Sequence, residues 1–423
     1  MSLFVATGVG VGASPRSPVR SRWIAALALA QLGLWLGLYA PLKTLLPLLA
    51  DQLSGSGMGG SGIGGSGMGS KEGLLAAATL AGSLVALLAN PIAGALSDHS
   101  RSRWGPRRPW ILAGVLVAAC SILLLPQAST GVALLLLWGS AKLGLNACMA
   151  ALNGAVADRV PDGQQGRLWG WVGLAQPVGL VLGVGLSTLM LPQLQRAASA
   201  QAALLLLCCL PVLLVVKGQR PAAPPLPAPA APLAAFRHRS FRGLWWSRFW
   251  LYLGWSMSTV YLLYFLEDRL GLPRAAALQA QTLLLGLYAA GTVASAALAG
   301  WASDRCGQRL VFVAAGTLGM AAAGSLLLIS QALPLALAAA TLLGVAYGVY
   351  IATHQALVLE HLPDPCHHAR DLGLFNGANT APMVLSPALA WLCVVHLGGY
   401  TTLFGVASLL IAASLLPLRL LRR

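Results

Sequence analysis

Charge is what this chain has least of. Only 9% of its 423 residues are Asp, Glu, Lys or Arg, and only 11 are acids. An ordinary soluble domain is about 25% charged. A chain so poor in charge cannot present a wet surface, which excludes that class. Paired cysteines are missing too. None of the seven forms a Cys-x-x-Cys pair, which excludes zinc ligation and a disulfide framework. Cys120, Cys148, Cys208, Cys209 and Cys393 lie in apolar runs and read as small buried thiols, while Cys306 and Cys366 lie in loops. No metal or cofactor site is expected. A cleavable leader is also lacking. Arg16, Arg20 and Arg22 precede an apolar run from Trp23, but that run continues through Leu49 with no small-residue cleavage site, so it reads as a retained helix. A basic domain is absent. The net charge of +16 sits in short loops, so nucleic acid is not an expected partner.

What the chain has in abundance is apolar length. Hydrophobic residues make up 57% of it. A spanning helix needs roughly 20 mostly apolar residues. Such runs fall near 23–49, 73–96, 110–127, 131–156, 168–190, 201–216, 242–266, 276–302, 310–331, 334–358, 372–396 and 401–418. They lack the alternation of a β-barrel. The expected class is an all-α membrane protein with twelve transmembrane helices in two six-helix bundles. The breaks carry turn chemistry: Pro-Asp-Gly at 161–163, "LPDP" at 362–365 and Gly398-Gly399. Basic residues set the orientation. Of 27 Lys and Arg, only Lys43, Lys71, Arg196, Arg269 and Arg274 fall on the side opposite the N-terminus, and Lys142 and Arg248 fall within spans. Both termini are therefore expected in the cytoplasm of a cytoplasmic (inner) membrane. The Gly/Ser repeat over 55–69 reads as a tolerant flexible loop. The Pro-rich stretch within 217–241 separates an N-terminal unit, 1–216, from a C-terminal unit, 242–423.

The two units echo each other. "GALSDHSRSRWGPRRPWILAG" ends the second run and "GWASDRCGQRLVFVAAG" ends the eighth. "ADRVPDGQQGRLWGW" follows the fourth and "LEHLPDPCHHARDLGLF" follows the tenth. Asp98 thus matches Asp304, Asp158 matches Glu360, and Arg167 matches Arg370. Matched loops on two six-helix units suggest pseudo-symmetric bundles around a central path. The G-x-x-x-D-R-x-G-x-R pattern at Gly300, Asp304, Arg305, Gly307 and Arg309 resembles the loop motif of the major facilitator superfamily of secondary transporters. The first copy is longer and arginine-rich, with Arg101, Arg107 and Arg108. With the D-x-V-P…G-R element at Asp158–Arg167, it resembles the cation-coupled sugar symporters of the glycoside–pentoside–hexuronide and proton–sucrose type. The resemblance implies a monomeric carrier of a small polar solute. It also implies that Asp98, Arg101, Arg107, Arg108, Asp158, Arg167, Asp304, Arg305, Arg309 and Arg370 serve cytoplasmic gating. Asp98 ends a helix, where the dipole disfavours an acid, so it needs a cationic partner or a helix N-terminus.

Polar groups at membrane depth are costly and default to functional hypotheses. Lys142 is the clearest, with Asn146 at i+4 and Asn153 at i+11 on roughly one face. Gln31, Trp35 and Tyr39 repeat at i+4 on the first helix. Tyr347, Tyr350 and His354 share a face of the tenth, and Asn376 and Asn379 share one on the eleventh. Helices 1, 4, 7 and 10 line the cavity in the superfamily that the chain resembles. These residues are candidates for solute binding, against the plainer reading of helix packing. Arg248 lies among Trp245, Trp246 and Trp250, where snorkelling competes with solute contact. No Asp or Glu lies deep in any span, so proton coupling would fall to His354 or Lys142. Two other functions remain open. One is export of amphipathic compounds, for which "GLAQPVGLVLGVG" matches the exporter Gly-Pro motif in part, with Gln176 before Pro177. The other is a membrane assembly factor. No nucleophile–base pair appears, which argues against an enzyme.

Overall fold

The computed structural model describes residues 19–55, 69–98, 100, 102–160, 162–216, 234–361 and 368–421, and no strand occurs among them. The helices are α1 (Ser21–Gly55), α2 (Lys71–Asp98), α3 (Arg108–Leu124), α4 (Gly131–Arg159), α5 (Asp162–Met190) and α6 (Leu194–Val215). They continue as α7 (Arg239–Val260), α8 (Arg274–Cys306), α9 (Arg309–Ile329), α10 (Leu333–Glu360), α11 (His368–His396) and α12 (Gly399–Ala413). Among the described residues ten helices are long and apolar enough to cross a membrane. The number is eleven if α7 and its continuation Leu262–Arg269, bent by 50°, form one span. Helices suit this composition because each backbone N–H and C=O is satisfied within its own segment.

Local chemistry sets the ends. Thr130 caps α4, its hydroxyl accepting from Ala133 N at 3.1 Å. Gly307 ends α8 at φ 65°, a left-handed conformation that glycine adopts without strain. Several boundaries differ from the sequence reading: α1 runs on to Gly55 rather than 49, α5 begins at Asp162 inside the Pro-Asp-Gly stretch read as a break, and α7 stops at Val260 before a bend rather than running to 266. The largest shift is at α6. α6 begins at Leu194 rather than near 201, so Arg196 lies on a helix and not in a loop. The reason is internal pairing of polar residues in its first turns. Ser199 Oγ donates to the Gln195 carbonyl, and the Gln201 amide donates to Ser187 of α5 at 2.6 Å.

Packing repeats in two sets. α1 packs on α5 and α6, α3 packs on α4 and α6, and α2 packs on α4. α7 packs on α11 and α12, α9 packs on α10 and α12, and α8 packs on α10. The sets join where α2 meets α11 and α5 meets α8. Small residues allow the close crossings. A Cβ on Gly114 of α3 would sit 2.7 Å from the Gly144 carbonyl oxygen of α4. Leucines such as Leu88, Leu136, Leu207, Leu298 and Leu409 stay exposed on the outside, as a lipid-facing surface requires. Cys148, Cys208, Cys209 and Cys393 are buried, as read, but Cys120 is exposed on α3.

The bundle has two distinct ends. Among the described residues, every hydrogen bond between α1–α6 and the later helices lies toward the end that bears Lys71. Lys71 Nζ meets Asp268 at 2.8 Å, and Arg274 meets Asp51. Tyr261 donates to the Glu72 carbonyl at 2.9 Å and Tyr264 to the Pro47 carbonyl at 2.8 Å. Deeper in, Lys43 Nζ donates to the Thr259 carbonyl at 2.6 Å, and Thr188 meets Thr282 at 3.1 Å. At the other end, the described arginine bonds stay within one set. Arg107 donates to Ser97 Oγ at 2.6 Å, Arg108 to the Leu214 carbonyl, and Arg309 pairs with Glu360 at 2.8 Å. Arg305 stacks on Trp301. Arg101 and the side chains of Asp98, Asp158, Arg167, Asp304 and Arg370 lie outside the described residues.

Candidate functional site

Two aromatic walls face the centre. On α1, Trp35 and Tyr39 stack with centroids 5.6 Å apart, and Gln176 of α5 donates to the Tyr39 hydroxyl at 2.8 Å. The i+4 repeat of α1 turns this stripe inward, and Gly179 of α5 lets the two backbones approach, since a Cβ there would lie 2.9 Å from Trp35 Cβ. Across from them, Trp255 of α7 stacks on Tyr347 of α10 at 5.6 Å and 12°. The Tyr252 and Tyr347 hydroxyls lie 3.0 Å apart, and Tyr288 of α8 stands 5.9 Å from Tyr347.

Toward the Arg107 end, this wall passes into a buried polar group. Arg248 is 2% exposed, with the rings of Tyr252 and Phe375 at 5.5 and 5.3 Å and Nη1 donating to Gln355 Oε1 at 2.8 Å. The snorkelling reading of Arg248 is thereby corrected. Its guanidinium bonds inward to α10, while Trp246 is the residue that faces outward. Tyr350 and His354 pack at 4.8 Å, both fully buried. Neither ring nitrogen of His354, nor the Tyr350 hydroxyl, nor Arg248 Nε has a hydrogen-bond partner. A buried polar group without a partner is expensive. Four unpartnered atoms on three neighbouring residues therefore mark a place that something else completes.

The α4 candidates divide. Lys142 has no hydrogen-bond partner among the described residues, and its ammonium lies 5.9 Å from the Trp138 ring centroid. Asn146 turns back to donate to the Lys142 carbonyl at 2.8 Å, so its amide serves its own helix. Asn153 accepts from Gln31 of α1 at 3.4 Å, which joins two stripes seen separately in the sequence. On α11, Asn379 donates to Asn376 at 2.8 Å. The α7 candidate Arg248 thus reaches α10 through Gln355, the α1 and α4 candidates meet through Gln31–Asn153, and no direct bond links Lys142 to Arg248 among the described residues.

The sequence reading missed several members. Tyr252 and Trp255 lie at i+4 and i+7 from the candidate Arg248, a helical stripe that was legible. Lys43 was counted only toward the side opposite the N-terminus, yet it is 8% exposed inside α1, in a π-helical turn at Pro41–Leu45. It extends the Gln31, Trp35, Tyr39 stripe by one more i+4 step. Gln176 was weighed only as a departure from an exporter motif, and it is the partner of Tyr39. Nothing local marks Tyr288. Among the described residues no cluster of His, Cys, Asp and Glu could hold a metal ion.

A family model described as MFS/sugar transport protein matches residues 68–362. Solved structures share the architecture. The human organic anion transporter MFSD10 (TETRAN) is 19% identical with a TM-score of 0.67, over 96% of this chain and 100% of that one. The nucleoside transporter NupG is 12% identical with a TM-score of 0.69, over 95% and 98%. A bacterial homolog of the human lysosomal transporter Spinster, in an inward-facing and unoccupied conformation, is 14% identical with a TM-score of 0.59, over 94% of each chain. At these identities the likeness is one of fold. No curated protein matches the chain.

Proposed function

Because the chain belongs to the MFS/sugar transport protein family, we propose that it is a secondary active transporter that carries a small sugar-like solute by alternating access. The family is one of transporters and not of enzymes. The observation that carries the reading is the pair of facing walls, Trp35–Tyr39–Gln176 and Trp255–Tyr347–Tyr252. Aromatic faces suit the C–H faces of a sugar ring, and phenol hydroxyls and amides supply directional hydrogen bonds to its hydroxyls. Gln31, Asn153, Lys142, Asn376, Asn379, Tyr350, His354 and Arg248 extend the site toward the Arg107 end.

The repeated packing supports twelve spans in two six-helix bundles, α1–α6 and α7–α12, working as a monomer. The excess of basic residues supports a cytoplasmic Arg107 end and cytoplasmic termini. On that reading the bonds at the Lys71 end close the outer face, so this conformation opens inward. The matched acids Asp98 and Asp304 and their arginines would regroup across the bundles when the molecule opens outward. Proton coupling, if present, falls to His354 or Lys142. The test is uptake of labelled sugars into proteoliposomes with and without a pH gradient. Accumulation of a sugar supports the reading. A folded, reconstituted protein that moves no sugar overturns it.

A further inference from the structure

The charges at membrane depth have one sign. Of the 11 acids, ten lie in helices or their continuations and all ten fall within five residues of an end; the other, Asp364, lies outside the described residues. Three cations do not obey that rule. Arg248 lies ten residues into α7, Lys142 twelve into α4, and Lys43 well inside α1. A cation inside a membrane protein is normally paired with an acid or set in a water-filled path. Among the described residues none of these three has a carboxylate partner. Lys43 is held by a carbonyl, Lys142 lies by a ring, and Arg248 uses an amide. Such a row gives the central path a positive potential that is not balanced at its own depth.

Arg248 is the most specific of the three. Nη1 is engaged by Gln355, so the free edge is the one formed by Nε and Nη2. That edge matches the two oxygens of a carboxylate in a fork-to-fork geometry. The rings of Tyr252 and Phe375 flank the guanidinium and hold its plane. The unpartnered Tyr350 hydroxyl and His354 ring lie beside it, and the stacked Trp255–Tyr347 face lies one to two turns deeper.

We propose that the transported solute is an organic anion, a carboxylic acid with a ring or polyol body. Its carboxylate pairs with the Nε–Nη2 edge of Arg248, and its body lies on the Trp255–Tyr347 face. The proposal rests on the reading of this site as the solute site, and narrows it from a neutral sugar to an acid. Lys142, on α4 beside Trp138 and Gly82 of α2, is a second positive charge within the spans.

The experiment uses acid–amide pairs of equal shape: glucuronate with glucuronamide, and benzoate with benzamide. Binding to the purified full-length protein is read from the thermal unfolding midpoint, and transport from uptake into proteoliposomes. At least one acid is expected to bind ten-fold or more tightly than its amide. Arg248→Gln should remove that preference, and Arg248→Lys should keep part of it. If Arg248→Gln fails to fold, Lys142→Gln replaces it and should weaken the acid without affecting the amide. Equal binding of acid and amide overturns the proposal. So does uptake of a neutral sugar with no acid bound, although transport itself would then stand. Failure of every neutral and acidic probe to bind or move would instead remove the transport reading beneath it.

Discussion

Neutralising Lys71 and Arg274 together should open the Lys71 end of the bundle. The continuation Leu262–Arg269 bends 50° from α7 and brings Asp268 to Lys71 at the start of α2 and Glu267 to Arg274 at the start of α8. Lys71 meets Asp268 at 2.8 Å, their side chains 23% and 38% exposed. Arg274, 44% exposed, bridges Asp51 and Glu267. Two unit charges at that separation attract by about 1.5 kcal/mol in a water-like dielectric. Side-chain ordering and salt reduce this to about 0.5–1 kcal/mol for each exposed pair. Lys71–Asp268 and Arg274–Asp51 both join the two sets of helices, so both must break on outward opening. Removing both therefore shifts the equilibrium by about 1–2 kcal/mol, a factor of about 5–30 in population. A cysteine at Thr282, which meets Thr188 across the closed seam, would report it in a background without the seven native cysteines. The double variant Lys71→Gln/Arg274→Gln should react with a charged maleimide about 5–30 times faster, in line with that shift. High salt should accelerate the unmutated pairs in the same direction, since exposed ion pairs are screened. An unchanged rate in a folded double variant would mean that these pairs do not hold the seam, and that the buried Lys43 and tyrosine bonds do.

Three further outcomes follow from the same geometry. Tyr347→Phe keeps the stack on Trp255 but loses the bond to Tyr252 at 3.0 Å, so solute affinity should fall by about 2–13-fold with little change in melting temperature. Lys142→Ala should abolish uptake in a protein that still inserts and unfolds normally, and Lys142→Arg should rescue poorly because a planar guanidinium does not replace a point charge; normal uptake by the alanine variant would make the lysine structural. Gly344→Ala would drive a Cβ into the Tyr288 backbone, 2.7 Å from its Cα, forcing α8 from α10. Its cost should be about 1–3 kcal/mol, read as a lower midpoint in thermal unfolding; an unshifted midpoint would refute the close crossing.

The fold was legible because a bilayer makes few demands and makes them everywhere. Length and apolarity mark the helices, and every helix close to 20 apolar residues announced itself. The departures have physical causes. Gln193, Gln195, Arg196 and Ser199 made the start of α6 look like a loop, although Gln195 donates to the Leu123 carbonyl and Ser199 to the Gln195 carbonyl on the surface of the helix. Site residues were legible where they repeat on one face, as with Gln31, Trp35 and Tyr39. They were illegible where partners come from distant helices. Nothing in the sequence ties Gln176 to Tyr39, or Tyr288 to Tyr347, because those pairs exist only once the helices pack.

Lys43 and Arg248 show why position within a helix says less than the partner it finds. The sequence reading counted Lys43 toward the side opposite the N-terminus and set Arg248 among tryptophans. Both turn inward. Lys43 does so because a π-helical turn at Pro41–Leu45 resets the face of α1 and aims the ammonium at the Thr259 carbonyl. That bond crosses between the two sets of helices and lies beyond the aromatic walls, toward the closed end. A carbonyl is a weaker partner for an ammonium than a carboxylate, and the interaction is therefore easier to exchange. Exchange is what a path needs, since a cation locked to a buried acid would neither release it at each cycle nor greet a solute. The absence of deep acids and the presence of deep cations are in that sense one property. The chain keeps its acids at the ends, where pairs can break in water, and leaves its central cations to partners that a passing solute can displace.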